Sequence, residues 1–303
     1  MVYKDNKEIN KAIGCFKEAN KLKPDYHDAL FHLGHSFYEI GDFEKAINYF
    51  RSAIKLQPEN AVTFKYLGLV YFEKDDHDNA IKYFKKSIDL KPDNQEIAYL
   101  IGMLYRDKVD EVNAMKWFLK VIELNPDHHG GLSNLGNSYF KKGDLDTAIE
   151  YFQKAINLEP ENPSTIVNIG LVYLVKEDQN KAMDCFQKAI DIAPNHYNAI
   201  FNLGFSYISK GDYNKAKDCF FEICLKSDDL KGPAIGNLGH IALLTNEKNR
   251  AIVCYKEALA LTENPANFFD ESEKDFIDLK MESKGISKKE FDEIFSQLKK
   301  EKE

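Results

Sequence analysis

The sequence predicts an all-α protein built as an α-solenoid, because residues of four types recur at one fixed interval of 34 positions. Each type recurs six times, in columns that run from Pro24 to Pro194, Gly34 to Gly204, Ala46 to Ala216 and Phe50 to Phe220. A constant period of this size is typical of arrays in which a unit too small to bury its own core packs against copies of itself. The period therefore also favours a binding function over a catalytic one.

One unit, residues 129–162, indicates that each repeat forms two helices. Leu132, Leu135 and Tyr139 recur at three and four positions, which is the spacing of one helical face. Gly143 interrupts the pattern with a turn, and Pro160 ends the second segment, because proline cannot continue a helix. The apolar face of that second segment comprises Ala148, Ile149, Phe152, Ala155 and Ile156. The unit is predicted to be a helical hairpin.

This hairpin resembles the tetratricopeptide repeat family. The family pattern is L-G-x-x-Y in the first helix and A-x-x-x-F-x-x-A with a later proline in the second. It is matched by Leu135, Gly136, Tyr139, Ala148, Phe152, Ala155 and Pro160. The resemblance covers about residues 9–265 and implies a right-handed superhelix whose first helices line a concave surface. Gly136 lies inside its helix at a cost of about 1 kcal/mol relative to alanine, so we expect a close helix approach there.

The chain begins with half a unit. Within residues 1–26, Ala12, Phe16, Ala19 and Pro24 match the second helix of a repeat, and too few residues precede them for a first helix. We expect a capping helix, because terminal repeats are commonly atypical. The alternative is an edge that recruits another subunit.

Seven repeats are predicted in residues 27–265. They begin at His27, Ala61, Gln95, His129, Pro163, Tyr197 and, for a divergent seventh, near Gly232. Gly239 lies 35 positions after Gly204, so one residue has been inserted around Ser227, and we expect a longer or kinked connection there. In the third repeat, Val109 replaces the glycine that marks the turn elsewhere.

The period stops after Pro265, and residues 266–303 are predicted to form capping helices with a charged tail. One helix is expected over Glu271 to Met281. A second should begin with a capping box of Ser287 and Glu290. Its apolar face comprises Phe291, Ile294, Phe295 and Leu298. We expect these helices to cover the apolar end of the last repeat; the alternative is a helix that docks a partner.

Composition excludes several classes of function. The net charge of −8 and the pI of about 5.6 argue against a nucleic-acid partner. No run of about 18 apolar residues predicts membrane insertion, and the first thirty residues lack the apolar core of a secretory signal. These features predict a cytoplasmic protein.

No pattern in the chain predicts chemistry. Metal, phosphate-loop and nucleophile motifs are missing from the sequence, so we expect no catalytic residue, no metal site and no cofactor. The cysteines also fit the repeat. Cys15, Cys185, Cys219 and Cys254 precede the recurring aromatic, where other repeats carry tyrosine or tryptophan, so we expect reduced thiols in packing positions.

A candidate binding groove follows from the column two positions before the glycine. Four consecutive repeats carry asparagine there: Asn134, Asn168, Asn202 and Asn237. An amide side chain can pair with both the N–H and the C=O of an extended peptide. The flanking groove positions Asn137, Leu171, Phe201 and Phe205 complete the predicted peptide-binding site. The alternatives are that the asparagines satisfy local polar groups and that the apolar residues pack between helices.

The function predicted from these features is a non-catalytic scaffold or adaptor that binds a peptide segment of a protein partner in its concave groove. One alternative is a regulatory or substrate-recruiting subunit of an enzyme complex, such as one associated with a glycosyltransferase. Another is a structural scaffold that self-associates through its terminal helices.

Overall fold

The computed structural model describes residues 6–262, 264–279 and 281–302, and every regular element in these ranges is helical. The prediction of an all-α repeat solenoid is therefore confirmed, while the handedness of the superhelix stays a prediction. The chain divides into two compact units, residues 1–142 and 143–303, which are described separately.

The first unit contains eight helices in its described part. They are α1 (Asn6–Leu22), α2 (His27–Glu39), α3 (Phe43–Leu56), α4 (Ala61–Glu73), α5 (His77–Leu90), α6 (Gln95–Asp107), α7 (Glu111–Leu124) and α8 (His129–Lys141). Helices α2 and α3, α4 and α5, and α6 and α7 pair as hairpins, and α1 packs against α2.

The second unit continues the array and adds the C-terminal segment. Its helices are α9 (Leu145–Leu158), α10 (Pro163–Val175), α11 (Gln179–Ile192), α12 (Tyr197–Lys210), α13 (Tyr213–Lys226), α14 (Lys231–Leu244), α15 (Lys248–Leu261), α16 (Pro265–Asp278) and α17 (Lys288–Lys302). A short 3₁₀ helix, Met281–Lys284, separates α16 from α17. The hairpins are α10 with α11, α12 with α13, and α14 with α15.

Side-chain caps start most of these helices where the sequence places a short polar residue. The second helices of six repeats are capped by Asp42, Asp76, Asp110, Asp144, Asp178 and Asp212. Each carboxylate accepts a hydrogen bond from a backbone N–H in the first helical turn, which would otherwise lack a partner. Asn60, Asn94 and Asn162 do the same for three first helices.

The turn inside each hairpin places one residue in the left-handed conformation. Gly41, Gly143 and Gly211 have φ between 78° and 83°, and Asp75, Val109, Glu177 and Asn246 have φ between 55° and 64°. The third repeat therefore keeps the turn without glycine. Val109 is β-branched and disfavours this region, so the packed helices on either side must impose the conformation.

The glycine and phenylalanine columns meet inside several hairpins. A Cβ atom added to Gly34 would lie 2.7 Å from Phe50 Cδ1, and one added to Gly68 would lie 2.5 Å from Phe84 Cδ1. Gly170 meets the ring of its own hairpin partner in the same way. A close approach is thus present at these three glycines, where the aromatic ring fills the space that the missing side chain leaves, and for Gly136 it stays a prediction.

The inserted residue does not lengthen the connection before the last repeat, so the expectation of a longer connection is wrong. Residues 227–230 connect α13 to α14, and residues 193–196 connect α11 to α12, so both connections have four residues. The additional residue joins the first turn of α14 instead. Leu230 makes no capping hydrogen bond and has φ −100° and ψ 2°, whereas His196 has φ −79° and ψ 77° and caps α12. Because the backbone of Leu230 is already turned, α14 starts one residue earlier relative to its recurring glycine than α12 does.

Cys15 does not occupy a packing position, contrary to prediction: it is exposed, whereas the other four cysteines are half-buried, and none is in a disulfide. In complete repeats this column packs against the first helix of the same hairpin; the Tyr49 ring, for example, stacks on Phe37 at 5.4 Å. Helix α1 has no described first helix before it, so Cys15 has nothing to cover it.

The C-terminal helices differ from prediction in their bounds. Helix α16 begins at Pro265, earlier than the expected start at Glu271, and Met281 belongs to the 3₁₀ helix. The capping box is half realised. The Glu290 N–H donates to Ser287 Oγ at 3.1 Å, but the Glu290 carboxylate pairs with Lys248 Nζ at 3.2 Å.

Candidate peptide-binding surface

The first helices of two consecutive repeats, α10 and α12, carry most of the predicted groove residues of the second unit. Leu171, Phe201 and Phe205 are half-buried, as are Asn168 and Asn202. The Phe201 ring contacts the buried Phe220 edge-on, with 5.5 Å between centroids. This contact fixes the orientation of the Phe201 ring, and the rest of the ring stays accessible to solvent. We call these five residues the α10–α12 face.

The two asparagines of the α10–α12 face keep hydrogen-bonding capacity. Asn202 Nδ2 donates to the carbonyl of Asn198, four residues earlier, at 2.8 Å. No described residue donates to Asn202 Oδ1, and the Asn168 side chain makes no hydrogen bond within the described part of the chain. An amide holds one acceptor and two donors. Both residues can therefore still pair with a peptide backbone.

Asn134, in the first unit, has its amide fully engaged by neighbours. It is buried. Its Nδ2 donates to the Gly130 carbonyl at 2.8 Å and to the Tyr99 hydroxyl at 3.3 Å. Its Oδ1 accepts a hydrogen bond from Arg106 Nη1 at 3.1 Å. Asn134 therefore fits the alternative that the asparagines of this column satisfy local polar groups. Asn137, on the same helix, is half-buried and has no hydrogen bond among the described residues.

Asn237, in the last repeat, lies beneath other residues of the second unit. It is 2% exposed, and its Nδ2 donates to the Pro233 carbonyl at 3.2 Å. Its Oδ1 is buried with no hydrogen-bond partner among the described residues. The four asparagines of one column are thus in three different states, and only Asn168 and Asn202 present open amide groups.

An aromatic cluster in the first unit lies outside the predicted peptide-binding site. Helices α2 and α4 bring together Phe31, His35, Tyr38 and Tyr66, all half-buried. The Tyr66 ring lies 4.9 Å from His35 and 5.5 Å from Phe31, both in edge-on contact. Burial, and next the charge of Glu73, raise the pKa of Tyr38, so its hydroxyl stays a neutral donor. The signal was the i, i+4, i+7 spacing of aromatic and histidine side chains in α2.

Clusters of metal-ligating side chains and membrane-spanning helices are two features that the described residues lack. Nowhere in residues 6–262, 264–279 and 281–302 do three His, Cys, Asp or Glu side chains converge in a way that could hold a metal ion. Across the same ranges, none of the helices combines the length and the apolar character that crossing a membrane requires.

Comparisons with known proteins agree on one family. Models described as tetratricopeptide repeat match residues 2–61, 33–95, 66–129, 131–162, 163–196, 185–218 and 233–265. No curated protein sequence matches the chain significantly.

Several solved structures are similar to this chain. One is a tetratricopeptide repeat protein from Parabacteroides merdae, with a TM-score of 0.67 and 17% identity over 83% of this chain and 98% of that one. YrrB is described as a TPR protein with an unusual peptide-binding site; its TM-score is 0.56, with 23% identity over 61% of this chain and 95% of that one. MamA has a TM-score of 0.52 and 26% identity over 57% of this chain and 94% of that one.

Proposed function

Because the chain belongs to the tetratricopeptide repeat family, we propose that it is a non-catalytic scaffold that binds a peptide segment of a protein partner on the α10–α12 face. The observation that carries the proposal is the combination on this face of half-buried apolar rings with amides that still have hydrogen-bonding capacity. We place the scaffold in the cytoplasm, as the sequence predicts.

The two kinds of residue have separate tasks in this proposal. Asn168 and Asn202 pair with the backbone of the bound segment, which gives affinity with little dependence on its sequence. Leu171, Phe201 and Phe205 contact its apolar side chains, which gives selectivity, since aromatic anchors dominate many protein interfaces. The peptide-binding site named for YrrB supports the assignment of this class of function.

The test begins with the full chain as bait and identifies co-purifying proteins by mass spectrometry. A Phe201→Ala/Phe205→Ala variant should lose the specific partners. Phe221→Ala is the matched control, because Phe221 is an exposed phenylalanine on α13 and not on the proposed face. Melting curves of both variants should show that the array remains folded. Retention of every partner by the double variant would contradict the proposal.

Calorimetric titration with the partner's binding segment then separates the two tasks. Asn202→Ala should weaken binding by about 0.5–1.5 kcal/mol, the usual net value of one hydrogen bond, and by a similar factor for different peptides. Phe205→Ala should cost about 2 kcal/mol or more if the ring is an anchor, and its effect should depend on the peptide side chain that meets it. Equal losses for all peptides with both variants would refute the division of roles.

A further inference from the structure

The inner face of the last repeat is covered, unlike the corresponding face of the two preceding repeats. Asn237 and His240 of α14 are 2% and 1% exposed. The residues at the same column positions in α12, Asn202 and Phe205, are half-buried. Other residues therefore cover the face of α14 that corresponds to the accessible face of α12.

The occupant is the C-terminal segment of the chain itself. A Cβ added to Gly236 on this face would lie 3.7 Å from the Phe268 ring of α16. The Phe291 ring of α17 stacks at 6.4 Å from His240, and the Phe295 ring lies 4.9 Å from Tyr255 of α15. These two ring contacts join α17 to the last repeat, and Phe291 and Phe295 also contact aromatic rings of α16.

Helix α17 has the pattern of a helix bound in a groove. Phe291, Ile294, Phe295 and Leu298 are all buried, and they follow the i, i+3, i+4, i+7 spacing of anchors in peptide helices that bind in apolar grooves. The opposite side of the helix is exposed and charged. Large aromatic and aliphatic side chains make the contacts of α17, whereas glycine makes the close contacts within the hairpins.

The contact also buries polar groups that make no hydrogen bonds. Neither ring nitrogen of His240, nor the Tyr255 hydroxyl, nor Asn237 Oδ1 has a hydrogen-bond partner among the described residues. The preceding repeat carries apolar side chains at two of these positions, Phe205 in place of His240 and Phe220 in place of Tyr255. Burying unpaired polar groups is unfavourable. The polar groups therefore weaken the closed arrangement and would be solvated in an open one.

We propose that α16 and α17 form a displaceable lid, in which α17 occupies the peptide-binding face of the last repeat in cis until an amphipathic helix of a protein partner replaces it. This inference rests on the proposed function, since it treats the face of α14 as one more binding position of the array. The replacing helix must carry aromatic and aliphatic side chains at the spacing found in α17. Ion pairs at the rim, such as Lys248 with Glu290 at 3.2 Å, hold the lid without filling the face.

The test uses the full chain and a fluorescein-labelled synthetic peptide with the sequence of residues 286–302. Phe291→Ser loosens the lid by removing the ring that stacks on His240. Glu293→Ala is the matched control, because Glu293 lies on the exposed side of the same helix. Fluorescence anisotropy should show the peptide binding at least tenfold more tightly to Phe291→Ser than to the wild type or the control. Equal affinity for all three chains would overturn the proposal.

A second measurement, on the wild type, keeps the proposal testable if Phe291→Ser disturbs the last repeat. Native-state hydrogen exchange should show α16 and α17 opening before α14 and α15, and equal exchange in the four helices would overturn the lid. Light scattering must also show a monomer, since a dimer that exchanges α17 would refute occupation in cis. These results do not depend on Phe201 or Phe205, so the lid can fail while the α10–α12 face still binds its partner.

Discussion

Replacing Gly68 by alanine tests the contact on which each hairpin depends. The new Cβ would lie 2.5 Å from Phe84 Cδ1 and 2.6 Å from Cε1, whereas carbon atoms in contact prefer about 3.5–4.0 Å. The Phe84 side chain is 0% exposed, so the ring would have to move by about 1 Å within a packed core. Overpacking costs about 1–3 kcal/mol, and removing a helical glycine returns up to about 1 kcal/mol. With the full return, we expect a net loss of about 0–2 kcal/mol.

The matched control is Gly14→Ala in α1. Gly14 is exposed and helical, and nothing lies within 4 Å of an added Cβ, so the same substitution should stabilise α1 by up to about 1 kcal/mol. Hydrogen exchange resolves α1 from α4 and α5, which one melting temperature does not, because repeats of an array can unfold separately. Phe84→Leu should cost less in the Gly68→Ala chain than in the wild type. Full protection of α4 and α5 in Gly68→Ala would refute the steric explanation.

Two further predictions concern titratable groups. Burial lowers the pKa of His240 from 6.5 to about 4, so protonation favours states in which this ring is exposed. Stability should fall from pH 6.5 down to pH 4, by about 3 kcal/mol at most. The titratable groups Tyr255 and Asp275 face the ring, with the Asp275 carboxylate 3.8 Å away. Denaturant titrations should therefore show a weaker dependence on pH in this window for His240→Gln, and an unchanged dependence would contradict the assignment. Burial also raises the pKa of Cys185 and Cys219 to about 11, so iodoacetamide at pH 8 should label the exposed Cys15 first, as mass spectrometry of timed samples can show; simultaneous labelling would refute this.

The hairpins could be predicted from the sequence because their main contacts recur with the period. A glycine in the first helix meets a phenylalanine in the second in five of the hairpins, those of Gly34, Gly68, Gly102, Gly170 and Gly204, so one column explains the other. The aspartate caps are equally local, since each binds a backbone N–H three residues away. Where the column changes, local rules fail: Val109 keeps a left-handed turn that its side chain disfavours, because the flanking helices determine the backbone there.

The candidate site was less predictable, because its state depends on residues outside its own column. Asn134 loses its acceptor to Arg106, which lies 28 positions earlier in the preceding repeat, where other repeats carry apolar residues. No periodic pattern in the sequence predicts that arginine. Asn168 and Asn202 have no such neighbour and remain open. The same amide in the same column is thus a structural element in one repeat and a candidate contact in another.

The state of the residues in the last repeat also depends on residues outside their own columns. The spacing of Phe291 and Phe295 predicted an apolar helical face, and covering of the last repeat was expected from it. The sequence did not indicate that the covered surface would be the one that corresponds to the α10–α12 face, with His240 and Tyr255 beneath it. A lid that served only to end the array would be more stable over phenylalanine at both positions, since apolar side chains leave no polar atom unpaired. The polar residues at these two positions therefore favour a cover that opens over one that only seals the core.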